Sequence, residues 1–228
     1  MPRRIRTSPR KSPRQDRSKA TVDAIIQAMT RVLIKEGWDA ASTNRVAIEA
    51  GVSVGSLYQY FPSKEALVLA VMERHALAMT ERLQERMLQL ATAPLEEAAI
   101  ELTHLFIETH QTNPKLHRVL IEQVPQVGAL AKLEELNRLY ESLLIAYMEI
   151  HREDLEVKDL SIAAYVIVQA VEALCHHAVL KRQDLLDNGK LEEQIVRLVI
   201  GYIKPSLLVK AQVAGRTMVK KKGLTASA

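Results

Sequence analysis

The chain has 228 residues, 48% of them hydrophobic and only eight each of glycine and proline, which excludes a turn-rich sheet protein and predicts an all-α fold with ample core. The formal charge of +4 averages unlike regions: residues 1–19 hold eight Lys or Arg against Asp16, residues 204–228 hold six with no acid, and the stretch between holds 17 basic against 26 acidic side chains. Basic arms that meet a polyanion, on a body that does not, fit this split. A lone cysteine, Cys175, excludes an intramolecular disulfide, and no uncharged run reaches the roughly 18 residues that span a bilayer, so a soluble, cytoplasmic protein with no membrane partner is expected.

Residues 1–17, with Pro2, Pro9 and Pro13 among serines and arginines, are expected to form a flexible basic arm. From Ser18, apolar Val22, Ile25, Ile26, Met29, Val32 and Leu33 recur at three- and four-residue steps and predict an amphipathic helix ending at Gly37. Asp23, Gln27 and Arg31 interrupt it too often for a signal peptide. Thr43 is expected to begin and cap a short helix that ends at Gly51, and a second short helix follows from Val54 to Tyr60, stopping at Pro62. Ser63 caps a long helix to about Ala91, with Glu65 in its first turn. Further helices are predicted over 95–112, 114–123, 128–151, 158–184 and 189–211, about nine in all, and a basic tail is expected over 213–228. The implied division is an arm (1–17), a helix-turn-helix domain (18–64), a larger helical domain (65–212) and the tail.

Two short helices joined by a glycine turn, beside an arginine-rich arm, describe a helix-turn-helix whose second helix can enter a major groove. The run from Thr43 to Leu67, TNRVAIEAGVSVGSLYQYFPSKEAL, resembles the DNA-binding signature of the TetR family nearly position for position, with Val46 where that family often has isoleucine or leucine. The resemblance is close over about residues 18–70; beyond them it extends only to helix number and length. Val46, Ala47, Ala50, Val52, Leu57 and Phe61 are read as the small core that fixes the helix pair. Val54, Gly55 and Ser56 open the recognition helix, where small side chains let the backbone approach base edges, and Gln59 is a further base reader. The resemblance implies that Thr43, Tyr60 and Lys64 grip phosphates. Asn44 and Arg45 fit contact to base or backbone as well as a solvated helix face. Tyr58 fits half-buried packing as well as contact. Arginines of the arm suit the minor groove or phosphates.

The segments 158–184 and 189–203 are apolar around most of their circumference, which predicts burial on two sides: one copy of the chain covers one side and a partner copy the other. A four-helix homodimer interface results, the arrangement the resemblance also implies, and its twofold symmetry suits palindromic double-stranded operator DNA. An apolar pocket for a small-molecule effector is expected among the remaining helices, with Phe106, His110, Glu122, Gln123, Tyr140, Tyr147, Met148, Gln169 and His176 as candidate wall residues. The corner from Glu122 to Pro125 is the favoured part of that wall, and sparse aromatics, at 4%, disfavour a cavity built for flat polycyclic compounds.

Glu101, His104 and Glu108, and separately Glu172 and His176, lie at helical spacings that could suit a metal, but such pairs arise by chance on charged helix faces. With no nucleophile–base–acid set, glycine-rich phosphate loop or paired carboxylates, no enzyme activity and no cofactor are expected. The expected function is a sequence-specific DNA-binding repressor released by a small-molecule effector. The alternatives are an architectural or partner-binding DNA factor, marked by an exposed apolar patch and no cavity, and a helical enzyme or carrier with no salt-sensitive DNA affinity.

Overall fold

A computed structural model describes residues 16–123 and 130–206. Most of the basic arm, the corner residues Val124 and Pro125, and the tail lie outside the described residues. Within them the chain is helical throughout, with no strand: α1 (Asp16–Ala40), α2 (Thr43–Ala50), α3 (Val54–Tyr60), α4 (Lys64–Gln89), α5 (Leu95–Thr112), α6 (Pro114–Gln123), α7 (Leu130–Ile150), a 3-10 turn (Arg152–Asp154), α8 (Leu160–Lys181), α9 (Gln183–Asp187) and α10 (Lys190–Ile203). One predicted element, 158–184, is two helices here, because Arg182 leaves the helical region and a short α9 follows. The last helix, α10, breaks at Lys204, and the boundary expected near residue 211 lies outside the described residues.

Residues fall into two compact units whose boundaries cut through α4, α5 and α7: residues 1–82 with 109–136, and residues 83–108 with 137–228. The segment around α6 therefore packs with the N-terminal helices, a grouping no linear boundary would express.

In the first unit, Ile25, Met29, Val32 and Leu33 of α1 meet Val46, Ala47, Leu57, Phe61, Leu67 and Val71, with Leu116 and Leu120 of α6 completing the core. The periodic residues of α1 are thus the ones buried, as amphipathic spacing requires. Gly37, expected to end α1, instead kinks it: φ is +78° and helical structure resumes to Ala40. The cap of α2 also differs from expectation. Ser42, not Thr43, accepts the Arg45 N–H at 3.1 Å, because extended backbone at Ser42 aims its hydroxyl at the first turn. Ser53 and Ser63 cap α3 and α4 in the same way, accepting from Ser56 N–H and Ala66 N–H.

Gly51 closes α2 in the left-handed region, φ +67°, and its N–H reaches back to the Ala47 and Ile48 carbonyls. A Cβ there would meet nothing within 4 Å. Gly51→Ala is therefore expected to cost about 1 kcal/mol through backbone strain alone, read as a lower urea midpoint with an unchanged m-value.

In the second unit, α8 buries ten residues, among them Ala163, Ala164, Ile167, Val171, Cys175 and Val179. Among the described residues it is the one helix long and apolar enough to cross a membrane by length and composition, and Glu172 interrupts its middle. Met148, Leu160, Ala163 and Ala164 form a local cluster against Leu144, Leu155 and Tyr202. Burial pushes the Cys175 thiol up to about 12, so it stays a neutral packing group.

Candidate nucleic-acid interface and apolar cavity

The helix pair owes its geometry to the inward side chains. Val46, Ala47, Leu57 and Phe61 are buried, and Ala50 and Val52 pack against them half-buried. With Leu57 and Phe61 turned in, Val54, Gly55, Tyr58 and Gln59 share the outward face of α3 at i, i+1, i+4 and i+5, and all four are exposed. Ser56 is half-buried, its hydroxyl 2.8 Å from Ser53 Oγ.

Gly55 is informative because nothing among the described residues needs it. Its φ is not positive, and a Cβ would meet only Ser53 Oγ at 3.9 Å. Glycine in a helix costs about 1 kcal/mol relative to alanine, and here no packing or turn accounts for it.

Around this face, Thr43 Oγ1 and Tyr58 OH share a 2.9 Å hydrogen bond that ties the start of α2 to α3. Asn44 is exposed, and Tyr60 is half-buried against the core. Arg45 is held in the protein: its guanidinium lies 2.7 Å from Glu36 and 3.2 Å from Glu49, which also accepts from Arg31 at 2.8 Å. Hydrogen bonds donated to Glu36 raise its already high pKa, while Arg31 holds the Glu49 carboxyl down. The Lys64 ammonium donates to the Trp38 carbonyl and sits 3.8 Å above the Trp38 ring centre, where burial lowers its pKa. Thr43, Arg45 and Lys64 thus have intramolecular partners, whereas Asn44, Gly55 and Gln59 are the open positions at the surface.

The second unit contains a cavity of about 850 Å³, counting the part open to solvent. Leu83 and Met87 of α4, Thr103 and Phe106 of α5, Tyr140, Leu144, Tyr147 and Met148 of α7, Ile167, Val171 and Glu172 of α8, and Val199 and Ile203 of α10 are among its walls. Of the expected wall residues, Phe106, Tyr140, Tyr147 and Met148 come together here, with Phe106 and Tyr140 edge to face at 6.5 Å.

The other candidates stand elsewhere. His110 is buried in the first unit, stacked on His117 at 4.5 Å, and His117 Nε2 is 2.8 Å from His75 Nε2. Burial holds the His75 imidazole below its ordinary pKa. Glu122 is exposed, and Gln123 is buried in the first unit with Oε1 lacking a hydrogen-bond partner among the described residues. Gln169 and His176 are half-buried on α8 and outside the cavity lining. Glu101 pairs with Arg86, and His104 lies 3.2 Å from Glu192.

Glu172 is the wall residue that sequence reasoning assigned to another purpose, as a spacing partner of His176. It is 8% exposed, and burial pushes its carboxyl up to about 7, with Asn137 hydrogen-bonding to it and the Glu141 charge adding to the rise.

Two family models match the chain: one described as bacterial regulatory proteins, tetR family, over residues 25–71, and one described as tetracyclin repressor-like, C-terminal domain, over residues 94–203. A fatty acid metabolism regulator protein of Bacillus subtilis (strain 168) is 22% identical over 182 residues, 78% of this chain and 93% of that protein. A TetR-family transcriptional regulator structure from Mesorhizobium loti superposes with a TM-score of 0.65 at 22% identity, covering 82% of this chain and 98% of that one. The FadR repressor of Thermus thermophilus in complex with lauroyl-CoA gives 0.59 at 17% identity, covering 78% and 93%.

Proposed function

Because the chain belongs to the TetR family of transcriptional regulators, we propose that it represses transcription by seating α3 in the major groove of a palindromic operator, and that a lipophilic effector in the second unit's cavity releases it. It is a ligand-responsive, DNA-binding regulator of a family that binds operators as homodimers. The observation that carries the reading is the outward stripe of α3, with an unneeded glycine at its centre. The cavity favours a metabolite-responsive regulator over an architectural factor, and the names of the Bacillus and Thermus proteins support an effector with a long apolar body. We place the protein in the cytoplasm and assign it no catalytic role.

Val54, Gly55, Ser56 and Gln59 are proposed to face base edges, with Asn44, Tyr58 and Tyr60 beside the backbone. Thr43, Arg45 and Lys64 reach phosphate only by exchanging the partners they have in the free protein. The homodimer face is proposed on α8 and α10: Ile162, Tyr165, Val166 and Leu174 are exposed on α8 although apolar, Tyr165 at 56%, and Leu198 is likewise exposed on α10. Release is proposed to run through α4, one helix whose Ser63-capped start belongs to the DNA-binding unit and whose Leu83 and Met87 line the cavity. An effector that prefers a state in which the two recognition helices are no longer about 34 Å apart lowers operator affinity by its differential affinity for that state.

Gly55→Leu separates this reading from a structural role. Thermal stability is expected to hold or rise slightly, since leucine favours a helix by about 1 kcal/mol over glycine, while operator affinity, measured by fluorescence anisotropy across a salt series, falls at least ~10-fold. Full operator affinity in this variant would remove α3 from the groove.

A further inference from the structure

Resting on the reading of the second unit as the effector-binding unit, we propose that its cavity selects a lipophilic cation, an apolar body bearing one ammonium-type donor, and that Glu172 is the residue that makes the choice. Seventeen of the described residues line the cavity, and Glu172 alone among them carries a charge; no described lysine, arginine or histidine is in the lining. An anionic head group finds no counter-charge there, and it would sit beside a carboxylate.

The groups around Glu172 point the same way. The Tyr147 hydroxyl donates to the Leu90 carbonyl at 3.2 Å, so that donor is already used. Asn137 hydrogen-bonds to the Glu172 carboxylate, and the Oδ1 of the same amide is buried with no hydrogen-bond partner among the described residues. Glu141 adds a second negative charge that Glu172 feels. The described lining therefore sets one acid, backed by a second negative charge, in an apolar wall with no basic residue, and an ammonium group supplies the missing positive charge together with an N–H for the carboxylate. Holding an ionised carboxyl in such a place costs folding free energy, which burial shows by pushing the group up to about 7. A bound cation offsets that cost, whereas an alcohol leaves the charge without a counter-ion.

The test uses three ligands with one ten-carbon chain, decylammonium, decanol and decanoate, each below its aggregation concentration. Their binding to the full-length protein is measured by calorimetry at pH 7.5, alongside release of bound operator. Decylammonium is expected to bind at least ~10-fold more tightly than decanol, the scale of a charge-assisted hydrogen bond in a dry site, with decanoate weakest. Glu172→Gln is expected to bring decylammonium within about threefold of decanol while decanol binding holds or improves. Equal or tighter binding of decanol or decanoate to the wild-type protein, selectivity that survives Glu172→Gln, or no binding by any of the three overturns the proposal. Where decanol or decanoate binds best and frees the operator, the effector-released reading stands and only the cation is wrong. Where decylammonium binds selectively and the operator stays bound, the cavity's preference holds and the release mechanism fails.

Discussion

Replacing Phe61 by alanine is expected to destabilise the DNA-binding unit by about 3–5 kcal/mol and to abolish operator binding even where the chain remains folded. Phe61 is 2% exposed and stands at the end of α3, its N–H donating to the Leu57 carbonyl. Its ring belongs to a core that also holds Met29 and Leu33 of α1, Val46 of α2, Leu57 of α3 and Leu67 of α4. Truncation therefore removes the common filler of several helices at once. The orientation of α3 loses its support with it, because a helix of seven residues has little stability of its own. Urea denaturation measures the first effect and anisotropy with operator DNA the second. Ile48→Ala is the control: Ile48 lies 75% exposed on α2, so its loss is expected to stay within about 0.5 kcal/mol. A Phe61→Ala protein as stable as that control would mean that the helix pair is held by something other than this core.

The helix pair was legible in the sequence because its determinants are local. Apolar spacing turns Leu57 and Phe61 inward, Gly51 reverses the chain, and the capping serines stand one residue before each helix. The assignment of the α2 cap to Thr43 missed by one position for a reason that is also local: adjacent hydroxyls satisfy the same pattern, and only the backbone angles at Ser42, φ −128° and ψ 157°, decide between them. Thr43 was thereby left to Tyr58, a partner 15 residues away. The cavity was only partly legible because its wall is assembled from five helices. Phe106, Tyr140, Tyr147 and Met148 were found as bulky residues amid apolar helices, but the same criterion selected His110 and Gln123, whose burial is real and belongs to the first unit. No spacing rule separates those cases, since each depends on which helices pair. Glu172 shows the converse case: its i, i+4 spacing with His176 could be weighed for a metal and set aside, but spacing carries no sign that it is the single charge among the described residues of an apolar wall.

That single charge carries the second large effect, a stability that depends on pH in a direction unusual for a carboxylate. Burial raises the Glu172 carboxyl from 4.5 to about 7 in the folded protein, so between those values the folded state holds more protons than the unfolded one. Stability from this group is therefore highest below about pH 4.5, falls as pH rises through 7, and is flat above that. Glu172→Gln removes the dependence, and the variant is expected to gain about 3 kcal/mol over wild type at pH 8 but less than about 1 kcal/mol at pH 5. His75 and His176, both held down by burial, shift stability oppositely as pH falls below 6.5. They are common to both proteins, so they cancel in the difference, and so does the lowered carboxyl of Glu49. Urea titrations of wild type and variant at both pH values measure that difference directly. A gain that does not change with pH would show that Glu172 keeps its ordinary carboxylate behaviour inside the fold. A gain that shrinks at pH 8 when decylammonium is added to wild type would tie the cost of the buried charge to the ligand that neutralises it.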